Sequence, residues 1–329
     1  MLPVKIAGLG YALPERRVTS AELLAAWSVP AGLVEHAAGV YERRYATHET
    51  SAGLGAAAAR MALEDAGIPL SAVDAIIGAS TVPQQAIPCT AAFVQRELGA
   101  PDGGSVCFDV NATCLSFLVA LQNAAHLVSA GAYRTALIFS SELGSRFLNA
   151  RQPQSAILFG DAAAAVVVTR AGEGEASAVH HARFVTHSSG AAYTQVVGGG
   201  TRHSPNDPAT TREMNLFDMD GRAVFRQAAR LLPPFLDCFF AECDWTREEI
   251  GCLVPHQASR HGLDLLTERL GFRRDQLFIN LPTRGNCIAA SIPLALAEAV
   301  EARRICRGDR VLLLGTGAGL TIGAVALTY

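Results

Sequence analysis

The chain has 329 residues, 50% of them hydrophobic and 17% charged, a composition that supports a large buried core and excludes a disordered chain. A net charge of −3, with no basic stripe interleaved with aromatics, excludes a general electrostatic affinity for nucleic acid or anionic lipid. The first residues, Met-Leu-Pro-Val-Lys-Ile-Ala-Gly, lack the charged, apolar and small-residue segments of a signal peptide, so the chain is expected in the cytosol, with its eight cysteines as free thiols.

In chain order, the first buried strand is expected at Ala75-Ile-Ile-Gly-Ala-Ser-Thr81, followed by a helix ending in Gln95-Arg-Glu-Leu-Gly99. The polar segment Asp109-Val-Asn-Ala-Thr then leads to Cys114 and an apolar helix, Leu115 to Ala130. A thiol at the first turn of that helix faces free backbone N–H groups and the positive end of the helix dipole, which lower its pKa toward neutrality and make it a nucleophile. The alternative reading is a buried core cysteine. The helix is interrupted by Gln122, Asn123 and His126 and is too short to span a bilayer, so no membrane association is expected.

Strands follow at Thr135–Ser140 and Ala162–Thr169. Farther on, Cys238, Cys243, Cys252 and His256 come close in sequence, but without the Cys-x2-Cys pairs of structural zinc modules. Cys238 reads as part of an apolar helix face, Leu231–Phe240, and no metal is expected. The last elements are a strand in Cys252-Leu-Val-Pro-His-Gln-Ala258, which His256 follows, a strand-like Leu277-Phe-Ile-Asn280, the turn Arg284-Gly-Asn286, a helix from Ala289 to Ala302, and strands at Arg310–Gly315 and Thr321–Thr328. These apolar runs do not alternate, as expected of strands buried on both faces between helix layers.

The two ends of this series repeat one plan. Superposing Leu98-Gly99 on Leu270-Gly271 is a shift of 172, which carries Cys114 onto Asn286. The expected architecture is therefore α/β, a duplicated unit with halves 1–171 and 172–329 packed face to face. Pseudo-twofold packing brings the helix starts together, so that Cys114, His256 and Asn286 converge in an arrangement suited to acyl transfer.

These residues sit in segments that resemble the thiolase superfamily, and within it the ketoacyl-acyl-carrier-protein synthase III group. The matching stretches are Glu42-Arg-Arg44 after Gly39, Asp109–Cys114, Phe159-Gly-Asp-Ala162, Met219–Phe225, Val254-Pro-His-Gln-Ala258, Gly285-Asn286 with Ala289–Pro293, and the Gly315-Thr-Gly-Ala-Gly319 turn. The resemblance implies a thiolase fold, layered α-β-α-β-α, and a homodimer with a Cys114–His256–Asn286 triad in each subunit. It implies that an acyl thioester acylates Cys114, with the oxyanion held by the backbone N–H groups of Cys114 and Ala318. A malonyl thioester on acyl carrier protein then loses CO2, its enolate held by His256 and Asn286, and condenses to a β-ketoacyl thioester without cofactor or metal. A neutral Asn286, and the lack of a glutamate in Pro83–Ala91, fit decarboxylation.

The chain departs from the family at several points. Leu33, Ala37 and Pro153 stand where a Trp and two Arg grip coenzyme A, so a longer acyl donor or a carrier-bound one is expected. Ser259 replaces the Asn of His-Gln-Ala-Asn, putting its outer hydrogen bond in doubt, and Cys287 replaces a Thr. Arg226 matches a carrier-facing basic position and Arg260 lies one residue before another. Two further readings stay open: transfer of the acyl group to a non-malonyl oxygen, nitrogen or carbon nucleophile, and a non-catalytic partner subunit of a heteromeric synthase.

Overall fold

The structure, a computed structural model, describes residues 1–29 and 38–329. Its strands in chain order are β1 (Val4–Ala12), β2 (Arg16–Thr19), β3 (Glu42–Tyr45), β4 (Ala75–Gly78), β5 (Val106–Asp109), β6 (Thr135–Glu142), β7 (Ala162–Arg170), β8 (Ala178–Thr186), β9 (Thr194–Gln195), β10 (Asp218–Met219), β11 (Cys252–Pro255), β12 (Arg310–Gly317) and β13 (Thr321–Thr328). The first large sheet runs β1-β7-β6-β4-β5 and the second β11-β12-β13-β8.

Strand directions are the same in both. In the first, β4 is parallel to β5 and β6, while β7 is antiparallel to β6 and β1. In the second, β11 is parallel to β12, and β13 is antiparallel to β12 and β8. A single parallel bridge, Leu253 with Leu277, lies where β5 lies in the first sheet.

Side chains of the central strands divide between two cores with the period of two that a pleated strand imposes. From β6, Ala136 and Ile138 join the central cluster, while Leu137 and Phe139 face outward against the Ser51–Ala66 and Thr90–Leu98 helices. From β12, Val311 and Leu313 face the centre, and Leu312 and Leu314 face the Gly221–Cys243 and Arg260–Glu268 helices. Both faces are apolar, which is why these strands read as unbroken runs. The Ser116–Ser129 and Ser291–Glu301 helices fill the space between the sheets and share one core with strands of each. The layering is α-β-α-β-α.

Three local expectations need correction. The helix after Cys114 begins at Ser116, with Leu115 as its N-cap, so Cys114 lies just before the helix instead of in its first turn. The helix after Asn286 is preceded by a 3-10 turn, Ile288–Ala290. Cys238 is exposed on its helix instead of packed, whereas Cys252 is buried in β11; all eight cysteines are free. Among the described residues no helix is long and apolar enough to cross a membrane, and no group of three or more His, Cys, Asp or Glu gathers as metal ligands.

Candidate active site

Cys114 is delivered by a loop whose polar residues are spent on the backbone. Asp109, at the end of β5, accepts hydrogen bonds from Thr90 N (2.7 Å) and Ala91 N (3.0 Å), capping the neighbouring helix start. Asn111 Oδ1 accepts from Thr113 N (3.0 Å), and its Nδ2 donates to Thr81 O (2.9 Å). This turn forces Thr113 to a φ of +53°, a left-handed conformation unusual outside glycine. Thr113 Oγ1 in turn donates to Ala318 O (3.2 Å), tying the Cys114 loop to the turn after β12.

The β12 backbone comes close because it carries no side chains there. A methyl group on Gly317 would lie 2.6 Å from Thr113 Oγ1, and one on Gly315 would lie 2.8 Å from His256 Cβ and 2.9 Å from Leu115 Cδ2. Gly315 is thus the contact at which the residue after Cys114 meets His256. His256 sits just past β11, its N–H bonded to Leu314 O (2.7 Å).

Asn286 is pinned from the other half. Its N donates to Leu158 O (2.7 Å) and its O accepts from Gly160 N (3.1 Å), a bridge to the Phe159 segment. Its side-chain Oδ1 accepts from Ile288 N (2.9 Å). That bond fixes the amide assignment, with Oδ1 as acceptor and Nδ2 as donor.

Burial raises the Cys114 thiol to about 12, reinforced by the carboxyl of Glu142 and opposed by hydrogen bonds from the backbone N–H groups of Ala318 and Cys114 itself. Burial thus opposes the drop toward neutrality expected of a thiol in the first turn, and Cys114 stands just before that helix. The N–H groups of Ala318 and Cys114 both act on this sulfur electrostatically. Burial also lowers His256 to about 4, so its imidazole is neutral at physiological pH. Its Nδ1 is buried without a hydrogen-bond partner. Ser259 instead accepts from Gly262 N (3.3 Å) and caps the next helix, so the outer bond of the family's Asn is not made here.

Glu142, unnoticed in the sequence, lies within electrostatic reach of Cys114. Its Oε1 accepts from Thr81 N (2.5 Å), burial raises its carboxyl to about 8, and its field reaches both Cys114 and Cys287. The available signal was its place at the carboxyl end of a central strand, where sites in α/β sheets gather. Cys287 is buried, its thiol directed at Arg284 O (3.4 Å).

The remaining positions are peripheral. Arg226 is exposed on the Gly221–Cys243 helix, and Arg260, half exposed, pairs with Asp264 at 3.7 Å; neither bonds to the three central residues. Pro153 opens a four-residue helical turn, Pro153–Ala156. Leu33 and Ala37 lie outside the described residues.

This fold, with a cysteine, a histidine and an asparagine amide at the ends of matching elements in its two halves, is the thiolase fold of condensing enzymes. Residues 108–189 match the family described as 3-oxoacyl-(acyl-carrier-protein) synthase III, and residues 240–329 match its C-terminal family. The β-ketoacyl-acyl-carrier-protein synthase III of Acidiphilium cryptum is 37% identical over 98% of each chain. The 3-oxoacyl-acyl-carrier-protein synthase III of Aquifex aeolicus superposes with a TM-score of 0.89 at 32% identity, covering 99% of this chain and 100% of the other. A priming β-ketosynthase of a polyketide pathway superposes with a TM-score of 0.90 at 27% identity, covering 99% and 96%. The chain belongs to the 3-oxoacyl-acyl-carrier-protein synthase III family.

Proposed function

We propose that this protein is a β-ketoacyl-acyl-carrier-protein synthase III that condenses an acyl thioester with a malonyl thioester through an acyl-Cys114 intermediate. The observation that carries this reading is the convergence of the Cys114 and Ala318 N–H groups on the Cys114 sulfur. When the thiol attacks the acyl carbonyl, these donors take up the oxygen as it becomes anionic; the carrier thiol leaves with the proton, and the acyl group stays on sulfur. The malonyl carboxylate then departs as CO2. Negative charge moves to the malonyl thioester oxygen, met by the neutral imidazole of His256 and the oriented amide of Asn286. The enolate carbon attacks acyl-Cys114, the C–S bond breaks, and the thiol regains a proton as the β-ketoacyl thioester is released. Both thioesters arrive activated, so no metal or cofactor enters this scheme.

The acyl carrier protein is proposed as the malonyl carrier, its acidic surface met by Arg226 and Arg260. A homodimer is proposed through β5, an edge strand whose Val106 is 46% exposed. The halves are proposed to divide at 171/172, and the protein to work in the cytosol. The polyketide-priming neighbour and the loss of a coenzyme A-gripping arginine at Pro153 support a specialised primer alongside fatty-acid initiation.

The deciding experiment is intact-protein mass after incubation with acyl-coenzyme A and acyl-carrier thioesters, acetyl to dodecanoyl, for the wild type and Cys114→Ala. An adduct only in the wild type is expected, its chain length naming the donor. No adduct with any donor sinks the scheme and returns the non-catalytic partner-subunit reading. An adduct that transfers without CO2 release favours a non-malonyl acceptor.

A further inference from the structure

His256 and Asn286 lie on different elements, yet donation to one enolate oxygen requires their spacing to be held to a fraction of an ångström. A chain of buried and partly buried hydrogen bonds joins them. Gln257, next to His256 and 1% exposed, uses both ends of its amide. Its Oε1 accepts from Asn280 N (3.0 Å) and Leu281 N (2.8 Å), and its Nε2 donates to Phe278 O (3.1 Å). Asn280 continues the chain: its Nδ2 donates to Glu298 Oε2 (2.7 Å), and its carbonyl accepts from Arg284 N (3.1 Å). Arg284 Nε donates to Glu298 Oε1 (2.7 Å), both side chains being largely buried. Gly285 N then donates to Leu281 O (2.9 Å), and Asn286 is the next residue.

Glu298 therefore uses both carboxylate oxygens, one on each side of the turn that presents Asn286, and anchors that turn to the central Ser291–Glu301 helix. Charge-assisted bonds of this length are short and strong. The Cys114 loop is held by other groups, Asn111, Thr113, Thr81 and Ala318, none of which bonds to Gln257 or Glu298.

We infer that Gln257 and Glu298 are positioning residues that lock His256 and Asn286 into one rigid unit, setting the rate of the malonyl half-reaction independently of acyl transfer to Cys114. This inference rests on the reading of His256 and Asn286 as donors to the malonyl thioester. Neither residue touches substrate. Each acts by fixing the separation of two groups that do.

The test measures the two half-reactions separately in the full-length protein: Cys114 acylation by rapid-quench intact mass, and CO2 release from a malonyl thioester on acyl carrier protein. In Gln257→Ala and Glu298→Ala, CO2 release is expected to fall about 10- to 100-fold, the scale of a misplacement near 1 Å, while acylation changes less than about threefold. Glu298→Gln, which keeps an acceptor for one partner and preserves volume, is expected to show the same split with a smaller fall and serves if the alanine variant does not fold. Parallel loss of both half-reactions, or an unchanged rate of CO2 release, overturns the inference and leaves a purely structural network. A wild type that acylates Cys114 but releases no CO2 overturns the condensing reading and the inference with it.

Discussion

Asn286 carries a sharp distinction in a single atom. With Oδ1 held by Ile288 N, the other terminal group is a donor; Asn286→Asp replaces it with an anionic oxygen, which opposes the enolate of the proposed scheme. Loss of one such donor typically costs about 3–4 kcal/mol of transition-state stabilisation, so CO2 release is expected to fall by at least two orders of magnitude while acylation of Cys114 persists. Cys114 itself, held near 12 by burial, is expected to react with iodoacetamide at a rate that climbs past pH 9 with no plateau near 7. A plateau at neutral pH, read by mass, would restore the thiolate anticipated from helix position. Glu142 and His256 pull stability in opposite directions. The Glu142 carboxyl keeps its proton in the fold up to about 8 but ionises near 4.5 when unfolded, so its contribution is full below pH 4.5 and is lost as pH rises toward 8. His256 stays neutral in the fold down to about 4 but charges near 6.5 when unfolded, so its contribution is full above pH 6.5 and is lost as pH falls toward 4. Glu142→Gln is expected to abolish the alkaline slope, about 1.4 kcal/mol per pH unit at its steepest, as checked by urea denaturation at pH 5 and pH 8.

At the scale of elements, the central strands were legible because their burial on both faces leaves a run of apolar residues with no alternation, as in Thr135–Ser140 and Arg310–Gly315. Asn286 was found by symmetry: the Leu-Gly pairs that end two equivalent helices fix the offset. What the sequence hid was non-local or conformational. Cys114 was placed in the first turn of its helix, which instead starts two residues later, because the left-handed Thr113 has no residue signature, and the rise in its pKa follows from neighbours distant in sequence. Glu142 lies beyond the Thr135–Ser140 run that marks its strand, and the Gln257–Asn280–Glu298 chain joins a strand end, a turn and a helix that only the fold brings together. Backbone proximity is equally invisible in one dimension. Gly315→Ala places a methyl 2.8 Å from His256 Cβ, and overpacking of this kind typically costs about 1–3 kcal/mol; a lowered melting temperature together with slowed CO2 release is the expected result.

Across the whole molecule, the two sheets do not own separate interiors. The Ser116–Ser129 and Ser291–Glu301 helices lie between them and belong to one core, so neither half can loosen without uncovering the other. Unfolding is therefore expected in one cooperative step. The two tryptophans provide the probes, Trp27 in the first half and Trp245 in the second. Denaturation followed through each, using Trp27→Phe and Trp245→Phe, is expected to give coincident normalised transitions with circular dichroism; separated midpoints within either variant would mean that the halves unfold independently. In solution the open edge of β5 is expected to be closed by a second copy, giving a sedimenting species of twice the 34.6 kDa chain.

The donors aimed at the Cys114 sulfur belong to the main chain, and they stand where Gly315 and Gly317 let the strand approach. No point substitution short of proline deletes a peptide N–H. In the proposed scheme, the step common to every substrate, stabilising the oxygen of an acyl group carried on sulfur, thus rests on main-chain groups that side-chain drift cannot erase, while the identity of the acyl group is left to side chains free to diverge.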